Sequence, residues 1–218
     1  MSGPFILGVD LDGVVANHTS RFREIVADIN NVPIETYPME RSWDFHEWGF
    51  GPDEYSDYHR VAVLEYDMFA TMPVIEGAAE ALWRLSDAGV WIRIVTHRLY
   101  VNWGHGAAVG QTAQWLEDNR IPYRDLCFLG DKPEVQADAY IDDAVHNITK
   151  LRNAGNTVIT FDQPYNRDLE GLRAKSWQEV EEIVTQLAAR HTGAIQTQLP
   201  GIDAGVDRVE RRRQLGDI

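Results

Sequence analysis

The sequence predicts an α/β fold: a doubly wound parallel sheet with a small helical cap inserted after the first strand. Three observations predict it. Short apolar runs recur along the chain, helical patterns separate them, and one long segment near the N-terminus holds no clear strand. Alternation of strand and helix buries both faces of a parallel sheet, which is why its strands read as continuous apolar runs.

The elements follow in order. Residues 5–9, Phe-Ile-Leu-Gly-Val, read as the first buried strand, and residues 91–95, 126–129, 139–141 and 158–161 as the next four. Helical patterns lie at 76–88, 111–119 and 145–154. Asp87-Ala88-Gly89 and Asn153-Ala154-Gly155 each place a glycine where a helix ends, just before a strand. Ser176-Trp-Gln-Glu179 has the spacing of a capping box and starts a last helix to about residue 190. Short connections and right-handed crossovers then bring the C-terminal ends of the strands to one rim.

Residues 31–72 break the rhythm, with nine acids against two bases and nine of the chain's 22 aromatic residues. Long insertions at such a rim are commonly functional, and helical spacing over 19–30 and 53–66 gives a helical cap. The expected division is a core of 1–16 and 73–190, a cap of 17–72 and a frayed C-terminal tail of 191–218.

Composition narrows the function. A net charge of −14, from 34 acids and 20 bases, argues against duplex nucleic acid or an anionic membrane as partner. The run at 5–9 stops at Asp10, far short of the roughly 20 apolar residues of a membrane helix, and lacks the flanks of a signal peptide. A single cysteine, Cys127, fits a reducing compartment, and the expectation is a soluble cytoplasmic protein.

Four motifs fall at strand ends. Asp10-Leu-Asp12-Gly13 follows the first strand. Two carboxylates so close repel each other unless a cation neutralises them, and an oxygen-loving ion such as Mg²⁺ does so. Gly13 permits a sharp turn. Thr96 closes the second strand, Lys132 follows the third, and Asp142-Asp143 closes the fourth. Each alone reads as a turn, a strand end, a solvated lysine or an acidic helix start. In a doubly wound sheet all four reach one rim, and four such coincidences at one place argue for a site.

With Asp10-Leu-Asp12, Thr96, Lys132 and Asp142-Asp143 in that order, the chain resembles the haloacid dehalogenase-like phosphatases over about residues 5–165. Within that superfamily it is most similar to the 5'(3')-deoxyribonucleotidase group. The residues behind this are 10–16, Met72-Pro-Val-Ile-Glu-Gly-Ala78, the ten-residue step from Lys132 to Asp142, and Phe161-Asp-Gln-Pro-Tyr-Asn166. The resemblance implies a Rossmann-like core and a Mg²⁺-dependent phosphomonoesterase. Asp10 would be the nucleophile that forms an aspartyl-phosphate, and Asp12 the acid and base. It places the metal at Asp10, the backbone carbonyl of Asp12, Asp142 and, through water, Asp143. Thr96 and Lys132 would bind phosphate, with His97 and Arg98 within reach of phosphate or sugar; a pairing of Arg98 with a cap carboxylate is the alternative. Trp43, Phe45 and Trp48 are the cap residues expected to stack on a nucleobase. The expected substrate is a nucleoside monophosphate, and a homodimer stays open.

Other readings fare worse. A signalling receiver domain puts its lysine last, a dinucleotide-binding turn needs Gly-x-Gly-x-x-Gly after a strand, and the seven histidines lack zinc-ligand spacing. A phosphatase or phosphomutase for phosphosugars or phosphoglycolate, and a non-catalytic binding protein on the same scaffold, remain as alternatives.

Overall fold

In the computed structural model, residues 3–51, 53–99 and 103–192 are described. The tail expected at 191–218 lies almost wholly outside them. Six strands form one parallel sheet: β1 (Ile6–Val9), β2 (Trp91–Thr96), β3 (Asp125–Phe128), β4 (Ala139–Asp142), β5 (Val158–Phe161) and β6 (Arg173–Ala174). Their order is β3-β2-β1-β4-β5-β6, and every pairing is parallel. The order reverses between β1 and β4, so a crevice opens beyond their carboxyl ends. Asp10 follows β1 and Asp142 ends β4 at that point.

Seven helices accompany the sheet among the described residues: α1 (His18–Asn30), α2 (Glu54–Glu65), α3 (Met68–Thr71), α4 (Ala78–Asp87), α5 (His105–Asp118), α6 (Val145–Asn153) and α7 (Trp177–Thr192). α4 buries Ala78, Ala81, Leu82 and Leu85, the i, i+3, i+4, i+7 stripe of an amphipathic helix. It ends where Gly89, at φ +92°, lets the Val90 N–H reach the Leu85 carbonyl at 3.0 Å. α5 begins six residues before the position its sequence pattern suggests. Gly106 and Gly110 weaken the helical signal of the first turns, yet the buried Ala108, Thr112, Trp115 and Leu116 hold the whole helix against its neighbours. At α7 only half of the expected capping box forms: Ser176 Oγ accepts from the Glu179 N–H at 3.3 Å, whereas the Glu179 carboxylate accepts from the Lys175 N–H at 2.7 Å. The two-residue strand β6 was not anticipated, because a strand so short carries no periodicity.

The inserted segment consists of α1, α2, α3 and two single 3-10 turns, Ile34–Thr36 and His46–Trp48. Its ends lie side by side. The Asn17 N–H donates to the Pro73 carbonyl and the Ile75 N–H to the Val15 carbonyl, both at 2.8 Å. One hydrophobic cluster runs from the sheet (Leu7, Val9, Ile94) into this segment (Phe22, Phe45, Trp48). Among the described residues no helix is long and apolar enough to cross a membrane.

The loop after β1 is braced from behind. The N–H groups of Val14, Val15 and Ala16 all close on the Leu11 carbonyl, at 3.2, 2.9 and 2.8 Å. The buried Trp177 of α7 donates its Nε1–H to the Val14 carbonyl at 2.8 Å. Trp177→Ala is expected to cost about 3–5 kcal/mol, by cavity formation plus an orphaned carbonyl. Denaturant unfolding checks this, and a loss under about 1 kcal/mol would contradict the bracing role.

Candidate active site

Asp10 sits directly past β1, its N–H donating to the Ile141 carbonyl at 3.1 Å, so the β1–β4 ladder sets its position. Asp142 is the last residue of β4, and Asp143 follows it. Asp10, Asp142 and Asp143 are buried and bring one carboxylate oxygen each within 4.8 Å of the others. Lys132, from the turn after β3, donates from Nζ to Asp10 Oδ1 and Asp142 Oδ2, both at 2.6 Å. The other oxygen of Asp142 accepts from the Ala144 N–H at 2.9 Å at the start of α6. Tyr165 donates its hydroxyl to Asp143 Oδ2.

The electrostatics follow from this crowding. Burial pushes the Asp10 carboxyl up, Lys132 pulls it back, and Asp142 and Asp12 push it up again, to about 7. Asp143 is raised well above the carboxylate range by burial and by its two acidic neighbours. Lys132 loses by burial but gains more from the two carboxylates, and its pKa is raised. Three buried carboxylates with one lysine leave negative charge uncompensated. An all-oxygen donor set of this kind fits a hard divalent cation.

Asp12 is held differently. Arg98 grips its carboxylate with two bonds, Nε to Oδ2 at 3.0 Å and Nη2 to Oδ1 at 2.7 Å. Burial pushes Asp12 up, but the guanidinium outweighs it and holds the carboxyl below its ordinary range. Its carboxylate therefore stands outside the three-carboxylate cluster. The pairing considered for Arg98 with a cap carboxylate does not occur: its fork faces Asp12, and Nη1 donates to Thr112 Oγ1 at 3.0 Å. Thr96 is buried at the end of β2 and accepts from the Arg98 N–H at 3.4 Å. His97 lines the same cavity, its pKa drawn to about 4 by burial and then Lys132.

The cavity has a volume of about 670 Å³. Asp10, Asp12, Thr96 and Asp143 lie in its wall, as do the aromatic residues Phe45, Tyr55, Phe69 and Trp103. The three expected stacking residues separate. Phe45 is buried in the cavity wall. Trp43, 49% exposed, also lines the cavity and meets His146 and Tyr165 edge-on, each at 5.3 Å. Trp48 is not in the wall: it stacks on Phe22 at 5.7 Å and donates to the Pro38 carbonyl at 2.9 Å, so it packs the inserted segment.

Sequence reasoning missed His18 and His59. They stack at 5.9 Å in the cavity wall, and Tyr55 stacks on His59 at 5.5 Å. Burial takes His18 to about 3 and His59 to about 4, so both are neutral at pH 7. The available signal was the i, i+4 spacing of Tyr55 and His59 on α2, which puts them on one face.

Comparison with known proteins matches this geometry. The family model for "5' nucleotidase, deoxy (Pyrimidine), cytosolic type C protein" matches residues 4–192. The chain belongs to this family. A Chlorobaculum tepidum protein provisionally named a 5'(3')-deoxyribonucleotidase is 44% identical over 180 residues, 82% of this chain and 89% of that protein. A Bacillus subtilis 5'(3')-deoxyribonucleotidase is 27% identical over 181 residues, 81% of this chain and 96% of that protein. A haloacid dehalogenase (HAD) family hydrolase from Deinococcus radiodurans, solved with phosphate and sodium, shares the fold. Its TM-score is 0.56 at 17% identity, over 85% of this chain and 97% of that one. A second hydrolase, from Xanthomonas campestris, gives 0.55 at 14% identity over 88% and 95%. This member of the deoxynucleotidase family is thus a phosphoric monoester hydrolase on the HAD fold.

Gly13 ties the loop to the site. It adopts φ +83°, and a Cβ there would lie 2.0 Å from Asp143 Oδ2 and 3.0 Å from the Tyr165 hydroxyl. Gly13→Ala is expected to displace Asp143 and lower phosphate release by about 100-fold, the cost of a shift near 1 Å. Circular dichroism should show an intact fold beside the activity assay; wild-type turnover would contradict the close approach.

Proposed function

We propose that this chain hydrolyses (deoxy)nucleoside monophosphates through an aspartyl-phosphate on Asp10, with residues 17–72 acting as a cap that selects the substrate. The observation that carries this is the meeting of Asp10, Asp142 and Asp143 around Lys132, with Asp10 and Asp143 in the wall of a cavity that aromatic side chains also line.

Asp10 Oδ attacks phosphorus and the bond to the ester oxygen breaks; the leaving alkoxide takes a proton from Asp12. Water then attacks the same phosphorus, the bond to Asp10 breaks, and Asp12 takes one of the water's protons. That proton serves the next leaving group. Arg98 orients Asp12 through two bonds and favours the ionised form that takes the water's proton in the second half of the cycle. Asp10, Asp142, Asp143 and the Asp12 carbonyl would hold Mg²⁺, which when bound supplies the charge that lets an anionic nucleophile meet an anionic phosphate. Thr96 and Lys132 would hold non-bridging oxygens, and Lys132 offsets repulsion between Asp10 and the substrate.

The cavity's chemistry supports a nucleoside as the leaving group. Rings give stacking worth about 1–3 kcal/mol per base. The neutral His18 and His59 add a donor and an acceptor each. The acidic inserted segment disfavours a polyphosphate.

A panel of phosphate monoesters, assayed for released phosphate with Mg²⁺ and with a chelator, tests the reading. Deoxynucleoside monophosphates should be the preferred substrates, chelation should remove activity, and Asp10→Asn should fold yet fall at least 1000-fold, as for loss of a covalent nucleophile (~10³ or more). Preference for phosphosugars or phosphoglycolate would overturn the substrate assignment, and an active Asp10→Asn would overturn the mechanism.

A further inference from the structure

Three buried basic side chains lie at the cavity or behind its wall: Arg98 and Arg41 line it, and Lys132 is bonded to the lining Asp10. Two are committed to carboxylates, Lys132 to Asp10 and Asp142, and Arg98 to Asp12. Arg41 is not. It is 6% exposed, and among the described residues no carboxylate pairs with it, although its segment is rich in acids. Burying a cation without a counter-ion is costly unless a ligand supplies the charge.

Its setting holds the guanidinium rather than neutralising it. The group lies over the Phe45 ring at 3.8 Å and the Tyr165 ring at 4.4 Å. Nε and Nη2 donate to Thr19 Oγ1 at 3.2 and 3.0 Å, and Nη1 to the Ser42 carbonyl at 2.9 Å. The Tyr165 hydroxyl is a further hydrogen-bond partner, so of the guanidinium's five N–H donors one stays available to a ligand. The other side of the site is near. Tyr165, stacked under Arg41, is the residue whose hydroxyl bonds Asp143, so one ring separates the guanidinium from the carboxylate cluster.

Charge bookkeeping shows what such a ligand would be. Lys132 and a divalent ion together offset Asp10, Asp142 and Asp143, while Asp12 and Arg98 cancel each other. A phosphate dianion entering the cavity would find Arg41 as the remaining buried fixed charge to meet it. We propose that Arg41 is a phosphate-binding residue, carried by the inserted segment, whose guanidinium takes a non-bridging oxygen of the substrate phosphate beside Thr96 and Lys132. A planar fork suits this task, and its stacking on two rings pre-orients it. The proposal rests on the phosphatase reading above.

Inhibition by inorganic phosphate, with an aryl phosphate as substrate, tests it apart from any question of which nucleotide is preferred. Arg41→Gln should weaken phosphate inhibition and raise KM by about 10- to 100-fold, the range for a lost hydrogen bond to a charged group. Arg41→Lys should fall between it and the wild type, and binding of an unphosphorylated deoxynucleoside should not change. Phosphate inhibition within about twofold of wild type in a folded Arg41→Gln, or a loss confined to deoxynucleoside binding, would overturn the proposal. If Arg41→Gln does not fold, a wild-type crystal soaked in phosphate decides: an oxygen within about 3 Å of an Arg41 nitrogen supports it, and a phosphate at Thr96 and Lys132 without that contact overturns it. A wild type that releases phosphate from no monoester would instead remove the phosphatase reading itself.

Discussion

Lys132 stands 2.6 Å from Asp10 and 2.6 Å from Asp142, and the site is organised around that shared ammonium. The two carboxylates come from strands far apart in the chain but adjacent in the sheet. Like charges about 4 Å apart, at an effective dielectric near 20, repel by about 4 kcal/mol. Burial makes each charge costlier still, and Asp143 adds a third. One buried lysine cannot balance three ionised carboxylates, and a divalent cation could supply the missing charge. That imbalance connects the electrostatics of the free protein to its proposed chemistry, since the excess negative charge would draw the ion, and the ion in turn would offset the repulsion that an anionic phosphate meets.

The fold serves this arrangement at several points. Reversal of strand order between β1 and β4 puts two acidic strand ends side by side. The tight loop after β1 needs Gly13 to let Asp143 and Tyr165 approach, while Trp177 holds the loop's far side. The start of α6 supplies the Ala144 N–H that holds the second oxygen of Asp142. The inserted helices return to the core beside the point where they leave it, so aromatic residues close in sequence to β1 are folded back over its carboxyl end.

The groups proposed to react were legible in the sequence because they sit at or just past the ends of apolar runs, where a parallel sheet leaves little choice of direction. Asp10, Thr96, Lys132 and Asp142 all reached one crevice for that reason. The inserted segment was harder to read. In a helical segment with aromatic residues throughout, nothing in the pattern distinguishes Trp48, which packs inside, from Phe45, which faces the cavity. Phe45 takes its place through a left-handed backbone at φ +58°, which no periodicity announces. His18 and His59 lie on different helices, and only tertiary packing stacks them. Arg98 was legible as a basic residue beside Thr96, but its partner Asp12 is 86 positions away.

The central claim is that Asp10 accepts the phosphoryl group within this cluster. Acid quenching during turnover with Mg²⁺, followed by mass spectrometry of the peptide that carries Asp10, measures this directly. One added phosphoryl group on Asp10, absent when a chelator is present, is the predicted result. Steady release of phosphate with no phosphoryl group ever found on Asp10, or with it found on another residue, would contradict the account.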